Sequence, residues 1–119
     1  MYFRQEIGKW GENLACQYLE KNNYRILEKN FLCRQGEIDI IAKDINKKEL
    51  VFVEVKTRSN FKYGNPAQAV TKQKQKHIKQ VARYYIYRKH INHMSIRIDV
   101  IEVYILKQNC KIHHIKQIF

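Results

Sequence analysis

The sequence holds little of what builds linkers, signal peptides or membrane spans. Its 119 residues include one proline and four glycines, which leaves little material for flexible connections. No run of about 18 apolar residues occurs, and the N-terminal string MYFRQEIGKWGEN lacks the apolar core of a signal peptide. We therefore expect a single domain over residues 1–119, located in the cytoplasm.

Cysteine is also sparse, and its pattern excludes two common uses. Cys16, Cys33 and Cys110 are odd in number and widely spaced, with no C-x-x-C pair among them. Such a set indicates neither a disulfide framework nor a zinc site. We expect three reduced thiols that serve as small apolar side chains.

Acidic residues are also few. The sequence contains 11 Asp and Glu but 23 Lys and Arg, which gives a formal net charge of +12. An excess of this size favours a polyanionic partner, usually nucleic acid. An anionic membrane surface is the alternative, but no strongly amphipathic helix with aromatic residues at its border is present. A second alternative is that the positive charge reflects a generally lysine-rich composition and has no functional meaning.

Hydrophobic periodicity predicts seven elements in the order α-β-β-β-α-β-β. Their predicted bounds are a helix over 5–22, strands over 24–32, 36–43 and 49–57, a helix over 66–89, and strands over 96–106 and 111–119. The strand over 96–106 is apolar on both faces, as is typical of the interior of a sheet covered by helices. We therefore predict an α/β fold in which helices flank a mixed central sheet.

The hairpin formed by the second and third strands holds the candidate chemistry. A turn centred in the polar segment 44–48 would place Asp39 opposite Glu54 and Ile41 opposite Phe52. Two carboxylates about 5 Å apart repel each other, and a hard cation such as Mg²⁺ or Mn²⁺ converts that cost into binding energy. Lys56 shares the face of Glu54 and would stabilise charge on a phosphate. The alternative is a solvated hairpin face with alternating charges.

A helix with Glu12, the strings GEIDIIA and LVFVEVKTR, and a helix led by proline resemble the YraN-like family of small bacterial proteins. That family is similar to the archaeal Holliday-junction resolvases and to the PD-(D/E)xK nucleases. The resemblance implies a restriction-endonuclease-like α-β-β-β-α-β core. It also implies Asp39, Glu54 and the backbone carbonyl of Val55 as metal ligands, Lys56 as catalytic, and a helix carboxylate at Glu12. From periodicity alone, Glu12 is equally well an ordinary surface residue.

Several cations are candidates for binding a nucleic-acid backbone. Lys74 interrupts the apolar stripe of the second helix and either extends to solvent or faces the site. Arg58 follows the third strand directly and is the nearest candidate for a phosphate contact. The remaining candidates share one face of the second helix, at spacings i, i+4, i+7 and i+11: Lys72, Lys76, Lys79 and Arg83.

These patterns lead to two hypotheses of different classes. The first is a Mg²⁺- or Mn²⁺-dependent endonuclease without a role at membranes. DNA is favoured over RNA as its substrate, and branched or repair intermediates are candidates, but the sequence does not decide between these substrates. A homodimer would suit such a structure-selective enzyme. The second is a nucleic-acid-binding module that keeps the fold and does not catalyse.

Overall fold

The computed structural model describes residues 2–58, 71–106 and 109–118, and of residues 2–5 the backbone alone. The element order is the predicted one. The two helices are α1 (Tyr2–Lys21) and α2 (Lys72–Arg88), and the strands are β1 (Tyr24–Cys33), β2 (Gly36–Asp44), β3 (Glu49–Arg58), β4 (Ser95–Ile105) and β5 (Cys110–Ile115). Predicted helical positions 66–70 lie outside the described residues.

The five strands form one mixed sheet in the order β1-β2-β3-β4-β5. Strands β3 and β4 are parallel, and the other three neighbouring pairs are antiparallel. Parallel neighbours need a crossover connection, and α2 supplies it. This is the α-β-β-β-α-β arrangement of a restriction-endonuclease-like core, as predicted.

Each helix covers one face of the sheet. Side chains of β3 alternate between them, so that Phe52 packs on the α2 side and Val51 and Val53 pack on the α1 side. Strand β4 alternates in the same way, with Ile98 on the α2 side and Ile101 on the α1 side. The prediction that the fourth strand is buried on both faces is therefore confirmed, although Ile96 at its start is exposed.

Helix α1 packs on the sheet through part of its apolar stripe and through a glycine. The helical spacing of the apolar residues predicts a buried stripe of Ile7, Trp10, Leu14, Ala15 and Tyr18. Of these Ala15 is buried and Leu14 and Tyr18 pack against the core, whereas Trp10 is 45% exposed. A Cβ at Gly11 would lie 2.1 Å from Oγ1 of Thr57, so the absence of a side chain permits the close approach of α1 to β3.

A buried arginine joins the amino end of β4 to the strands around it. Nη1 of Arg97 lies 2.9 Å from carboxylate oxygens of both Asp44 and Glu49. Its Nε and Nη2 donate to Asp99 at 3.0 Å, and Nη2 also donates to the Tyr24 hydroxyl. A fully hydrogen-bonded guanidinium of this kind is stable in a core because its charge is compensated.

Asp99 extends this cluster to the last strand. Its Oδ2 lies 2.6 Å from Nε2 of His114, and its Oδ1 accepts from the backbone N–H of Gln117 at 2.9 Å. Burial alone raises the pKa of Asp99, but the hydrogen bonds from His114, Arg97 and Gln117 outweigh burial and hold the pKa below its ordinary value. The cluster thus keeps its carboxylate ionised.

Replacing Gly11 by alanine should destabilise the protein, because the new Cβ would overlap Thr57. The matched control is Gly8→Ala, since a Cβ at Gly8 meets no atom within 4 Å and alanine favours a helix by about 1 kcal/mol. Thermal melts should show a lower midpoint for Gly11→Ala and an unchanged or higher one for Gly8→Ala. Adding Thr57→Ala to Gly11→Ala should recover part of the loss. Equal midpoints for the two single variants would contradict the close-approach account.

The Arg97→Met substitution should lower the free energy of unfolding by about 3–5 kcal/mol, because it leaves buried carboxylates without their counterion. Urea unfolding at neutral pH measures this loss, and Arg25→Met, an exposed arginine of β1, should change stability by less than about 0.5 kcal/mol. The lowered pKa values of Asp44 and Asp99 set the sign of the pH effect. Their contribution is present above the unfolded value of about 3.9 and is lost as the pH falls through the folded values. Similar losses for the two variants would contradict the role of the cluster.

Candidate active site

The candidate site lies where the parallel strands β3 and β4 end together. In their register Glu54 pairs with Val100, and Lys56 pairs with Glu102. Val100 packs in the core on the α2 side, so Glu54 and Lys56 face the same side. The alternation predicted for the E-x-K string therefore places both functional side chains on the α2 face.

The hairpin register agrees with the prediction up to the site and then departs from it. Ile41 pairs with Phe52 as predicted, but the β2–β3 ladder ends at the pair of Ile40 and Val53. Asp39 is therefore not paired with Glu54. Its Oδ2 instead accepts a hydrogen bond of 2.7 Å from the backbone N–H of Val55. Beyond the pair of Ile40 and Val53 the ladder between β2 and β3 stops, and the Val55 N–H is bonded to the Asp39 side chain.

Strand β2 also loses its regular alternation at Asp39. Ile38 and Ile41 both pack on the α2 side, and Ile40 packs on the α1 side. A regular strand would send Ile38 and Ile40 to the same face. Regular alternation would also place Glu37 on the face of Asp39 and Ile41, but Glu37 is exposed next to the inward-facing Ile38.

The carboxylate of Asp39 is electrostatically strained. Burial raises its pKa most, the charge of Glu54 raises it further, and the hydrogen bond from Val55 lowers it in part. The net result is a pKa of about 7, against an ordinary value of 3.8. Glu54 is itself buried, with 5% of its surface exposed. The repulsion predicted between the two carboxylates is present, although their strands do not pair at this point.

Two lysines approach this pair from different elements. The Nζ atoms of Lys56 and Lys74 lie 3.5 and 3.4 Å from Oε1 of Glu54. Lys74 belongs to the first turn of α2, whose start is capped by Thr71: its Oγ1 accepts from the Lys74 N–H at 3.1 Å. Of the two readings of Lys74, the structure supports the one in which it faces the site.

Glu12 reaches the same place from the other side of the sheet. It follows Gly11, whose close contact with Thr57 brings α1 down onto the end of β3. The half-buried Glu12 carboxylate raises the pKa of Asp39, after the larger effects of burial and Glu54. The helix carboxylate implied by the resemblance therefore lies close enough to Asp39 to act on it electrostatically.

The donor set at this site fits a hard divalent cation that keeps several ligands for water and phosphate. Over the described ranges, no group of three or more Asp, Glu, His or Cys side chains is arranged to hold a metal ion. Mg²⁺, however, is usually bound through one or two carboxylates, and Asp39 and Glu54 supply two. In an extended strand the N–H and C=O of one residue point to the same side, so the carbonyl of Val55 faces β2 beside Asp39.

The sequence did not indicate the partners of Arg58. Nε of Arg58 donates to Oε2 of Glu102 at 2.8 Å, and the hydroxyl of Tyr104 donates to Oε1 at 2.9 Å. Glu102 is fully buried, and Nδ1 of His113 lies 3.5 Å from it. Arg58 is therefore oriented by a buried carboxylate next to Lys56. The available signal was an acidic residue flanked by apolar residues, Ile101 and Val103, in the second half of β4.

The basic face of α2 is present as predicted. Its members are all exposed on the described helix: Lys72, Lys76, Lys79 and Arg83. The buried side of the same helix consists of Ile78, Val81, Ala82 and Tyr85. The helix is therefore amphipathic, with its cations directed away from the sheet and its amino end at the carboxylate pair.

The fold and the cluster of carboxylates and lysines define a restriction-endonuclease-like α/β protein. Residues 11–103 match the model of the uncharacterised protein family UPF0102, and the chain belongs to that family. This confirms the YraN-like resemblance. No helix among residues 2–58, 71–106 and 109–118 is long and apolar enough to cross a membrane.

Relatives from several bacteria match the chain over nearly its whole length. A UPF0102 protein of Clostridium botulinum strain Alaska E43 is 48% identical over 119 residues, covering 98% of this chain and 96% of the relative. One from Clostridioides difficile is 48% identical over 115 residues, with 97% of each chain covered. One from Caldicellulosiruptor saccharolyticus is 46% identical over 106 residues, covering 89% and 88%.

Neutralising Asp39 should stabilise the metal-free protein in a pH-dependent way. Because folding raises the pKa of Asp39 to about 7, the wild type loses stability as the pH rises from about 4 towards 7. The Asp39→Asn variant has no such group and keeps an oxygen for the Val55 N–H. Its advantage in urea unfolding with a chelator should grow between about pH 4 and 7 and then level off.

The matched control for this measurement is Glu37→Gln, an exposed carboxylate two residues away on the same strand. Its stability relative to wild type should change little over the same pH range. If both variants show the same pH dependence, the strained carboxylate at Asp39 is disproved.

Proposed function

We propose that this protein is a metal-dependent endonuclease that hydrolyses phosphodiester bonds in DNA. One observation carries the proposal: the buried carboxylate of Glu54, which Lys56 and Lys74 contact at the end of β3, lies near the half-buried carboxylate of Asp39 and raises its pKa. A pair that served stability alone would be compensated, yet the pKa of Asp39 stays raised to about 7. A carboxyl group whose pKa is raised by burial and by a neighbouring carboxylate is typical of a functional site.

Asp39, Glu54 and the carbonyl of Val55 would hold Mg²⁺ or Mn²⁺. Bound there, such an ion supplies Lewis acidity for phosphate and for an attacking water. The hydrogen bond from the Val55 N–H fixes Oδ2 of Asp39, and burial limits the movement of Glu54. Ligand orientation is thus set by the backbone of β3 before anything binds.

The lysines act on the phosphate group. Lys56 stands at the edge of the site with 36% of its side chain exposed, so its Nζ reaches a phosphate oxygen without leaving the strand end. An ammonium group in this position stabilises the negative charge that develops as the phosphorus is attacked. Lys74 supplies a second positive charge from α2, and Glu12, whose charge acts on Asp39, would orient a water molecule.

Charge and its placement support a nucleic-acid substrate, and the resemblance to Holliday-junction resolvases favours DNA. The formal net charge is +12, and the exposed cations of α2 begin at the site and continue along the helix. Contacts of this kind bind phosphates without reading sequence. Arg58, held by Glu102, adds a cation beside Lys56.

A non-catalytic nucleic-acid-binding module is the second candidate. The observation that favours it is that the described residues supply two carboxylates near each other and no cluster of three metal-binding side chains. Such a module would bind DNA with the same salt dependence and would not cleave it in the presence of a metal ion.

A cleavage assay with labelled duplex, flap, fork and four-way DNA in Mg²⁺ and in Mn²⁺ tests the proposal. We expect metal-dependent cleavage by wild type, and rates lower by about 100-fold or more for Glu54→Gln and Lys56→Ala. The control Glu37→Gln should cleave like wild type, since that carboxylate is exposed and outside the site.

Two results of this assay would reject the nuclease assignment. Cleavage by Glu54→Gln as fast as by wild type would identify a contaminating enzyme. Salt-sensitive binding of wild type without cleavage of any of these substrates in either metal would favour the binding module.

A further inference from the structure

The most exposed aromatic side chain of the described residues stands at the far end of the basic face. Tyr87 is 81% exposed and lies in the last turn of α2. It is four residues after Arg83, so it continues the i, i+4, i+7, i+11 row to i+15. The row of cations that begins beside the candidate site therefore ends in an aromatic ring.

A groove adjoins this ring. It has a volume of about 520 Å³ and is lined by Ile86, Ile91 and Ile96 together with Tyr87, Arg83 and Asn92. His90 completes the lining, so the groove combines an apolar surface with a guanidinium, an amide and an imidazole. A nucleobase has the matching chemistry, with a flat apolar face and hydrogen-bonding groups along its edge.

We propose that the groove beside Tyr87 binds an unpaired nucleobase, so that the preferred substrate has a single-stranded arm next to the cleavage site. The proposal rests on the proposed function for the binding of nucleic acid at the basic face. It goes further by assigning a second contact, with the base rather than with the phosphate, and by naming the substrate class.

The position of the groove sets the length of the arm. Lys74 contacts Glu54 at the amino end of α2, and Tyr87 lies 13 residues further along the helix. At 1.5 Å per residue the two are about 20 Å apart along the helix axis. One strand of duplex DNA advances about 3.4 Å per phosphate, so about six nucleotides cover this distance, and fewer do in an extended strand.

Whether a base is paired decides whether it can bind in the groove. A base stacks on an aromatic side chain only when its own face is free, as it is in a single strand. A duplex presents its backbone to a helix surface and leaves Tyr87 and the isoleucine walls unused. A protein partner is disfavoured by charge, because the groove continues a face of four cations and has Arg83 in its own wall.

Binding measured in a chelator, where no cleavage occurs, tests this inference separately from catalysis. The probes are a blunt DNA hairpin, closed by a non-nucleotide linker so that it has no unpaired base, and the same hairpin with an arm of about ten nucleotides that contains 2-aminopurine. The variants are Tyr87→Ala, Tyr87→Phe and, as a matched control, Leu32→Ala, which removes an apolar side chain that is 74% exposed on β1. Tyr87 is so exposed that these changes should leave the fold intact.

We expect Tyr87→Ala to weaken binding of the armed hairpin by about 10-fold or more and to leave the blunt hairpin unchanged. Tyr87→Phe should keep full affinity, because the ring is what stacks. Binding should quench 2-aminopurine fluorescence with wild type, Tyr87→Phe and Leu32→Ala, and much less with Tyr87→Ala.

Several outcomes would overturn the inference. An equal effect of Tyr87→Ala on both hairpins, or no effect on the armed one, would exclude base stacking. A change in sedimentation of Tyr87→Ala without a change in DNA binding would identify a contact between protein copies instead. If wild type bound neither hairpin at low salt, the proposed nucleic-acid function would fail together with it. If wild type bound without any arm preference, this inference alone would fail.

Discussion

The Arg97 guanidinium is the interaction on which the arrangement of the sheet depends. It donates to side chains on β1, β2, β3 and β4, and Asp99, which it holds, lies in hydrogen-bonding contact with His114 on β5. The guanidinium at the amino end of β4 thus connects four strands directly and β5 through Asp99. Since β3 and β4 are parallel and in continuous register, fixing one end also determines which side chains meet at the other. The pairing of Lys56 with Glu102 follows from this register.

The two ends of the sheet treat their carboxylates in opposite ways. At the Arg97 end, hydrogen bonds and positive charge overcome burial and hold the pKa values of Asp44 and Asp99 below the ordinary range. At the site end, burial and Glu54 prevail and raise the pKa of Asp39 to about 7. The first arrangement stabilises the fold, whereas the second costs stability unless a cation or a substrate compensates the charge. This contrast within one sheet separates a structural charge cluster from a candidate functional one.

Helix α2 relates the site to the rest of the surface. Its first turn places Lys74 at Glu54, and its buried side packs on Ile41 and Phe52. The opposite side carries the exposed cations and ends at Tyr87. A polyanion lying along this helix would therefore meet the carboxylate pair at one end and an aromatic ring at the other. The same helix is the crossover that makes β3 and β4 parallel, so topology and binding surface have a common origin.

The sequence by itself determined the element order, the alternation of β3, the pairing of Ile41 with Phe52, and the choice of Asp39, Glu54 and Lys56 as candidate site residues. These are local properties, set by a period of two or 3.6 residues and by the length of one turn. Tertiary structure decided the rest. It turned α1 onto Gly11, ended the hairpin ladder before Asp39, and brought Lys74 to the site. It also buried Glu102 beside Arg58. Each of these depends on how closely two distant segments approach, and periodicity along a single chain contains no information about that distance.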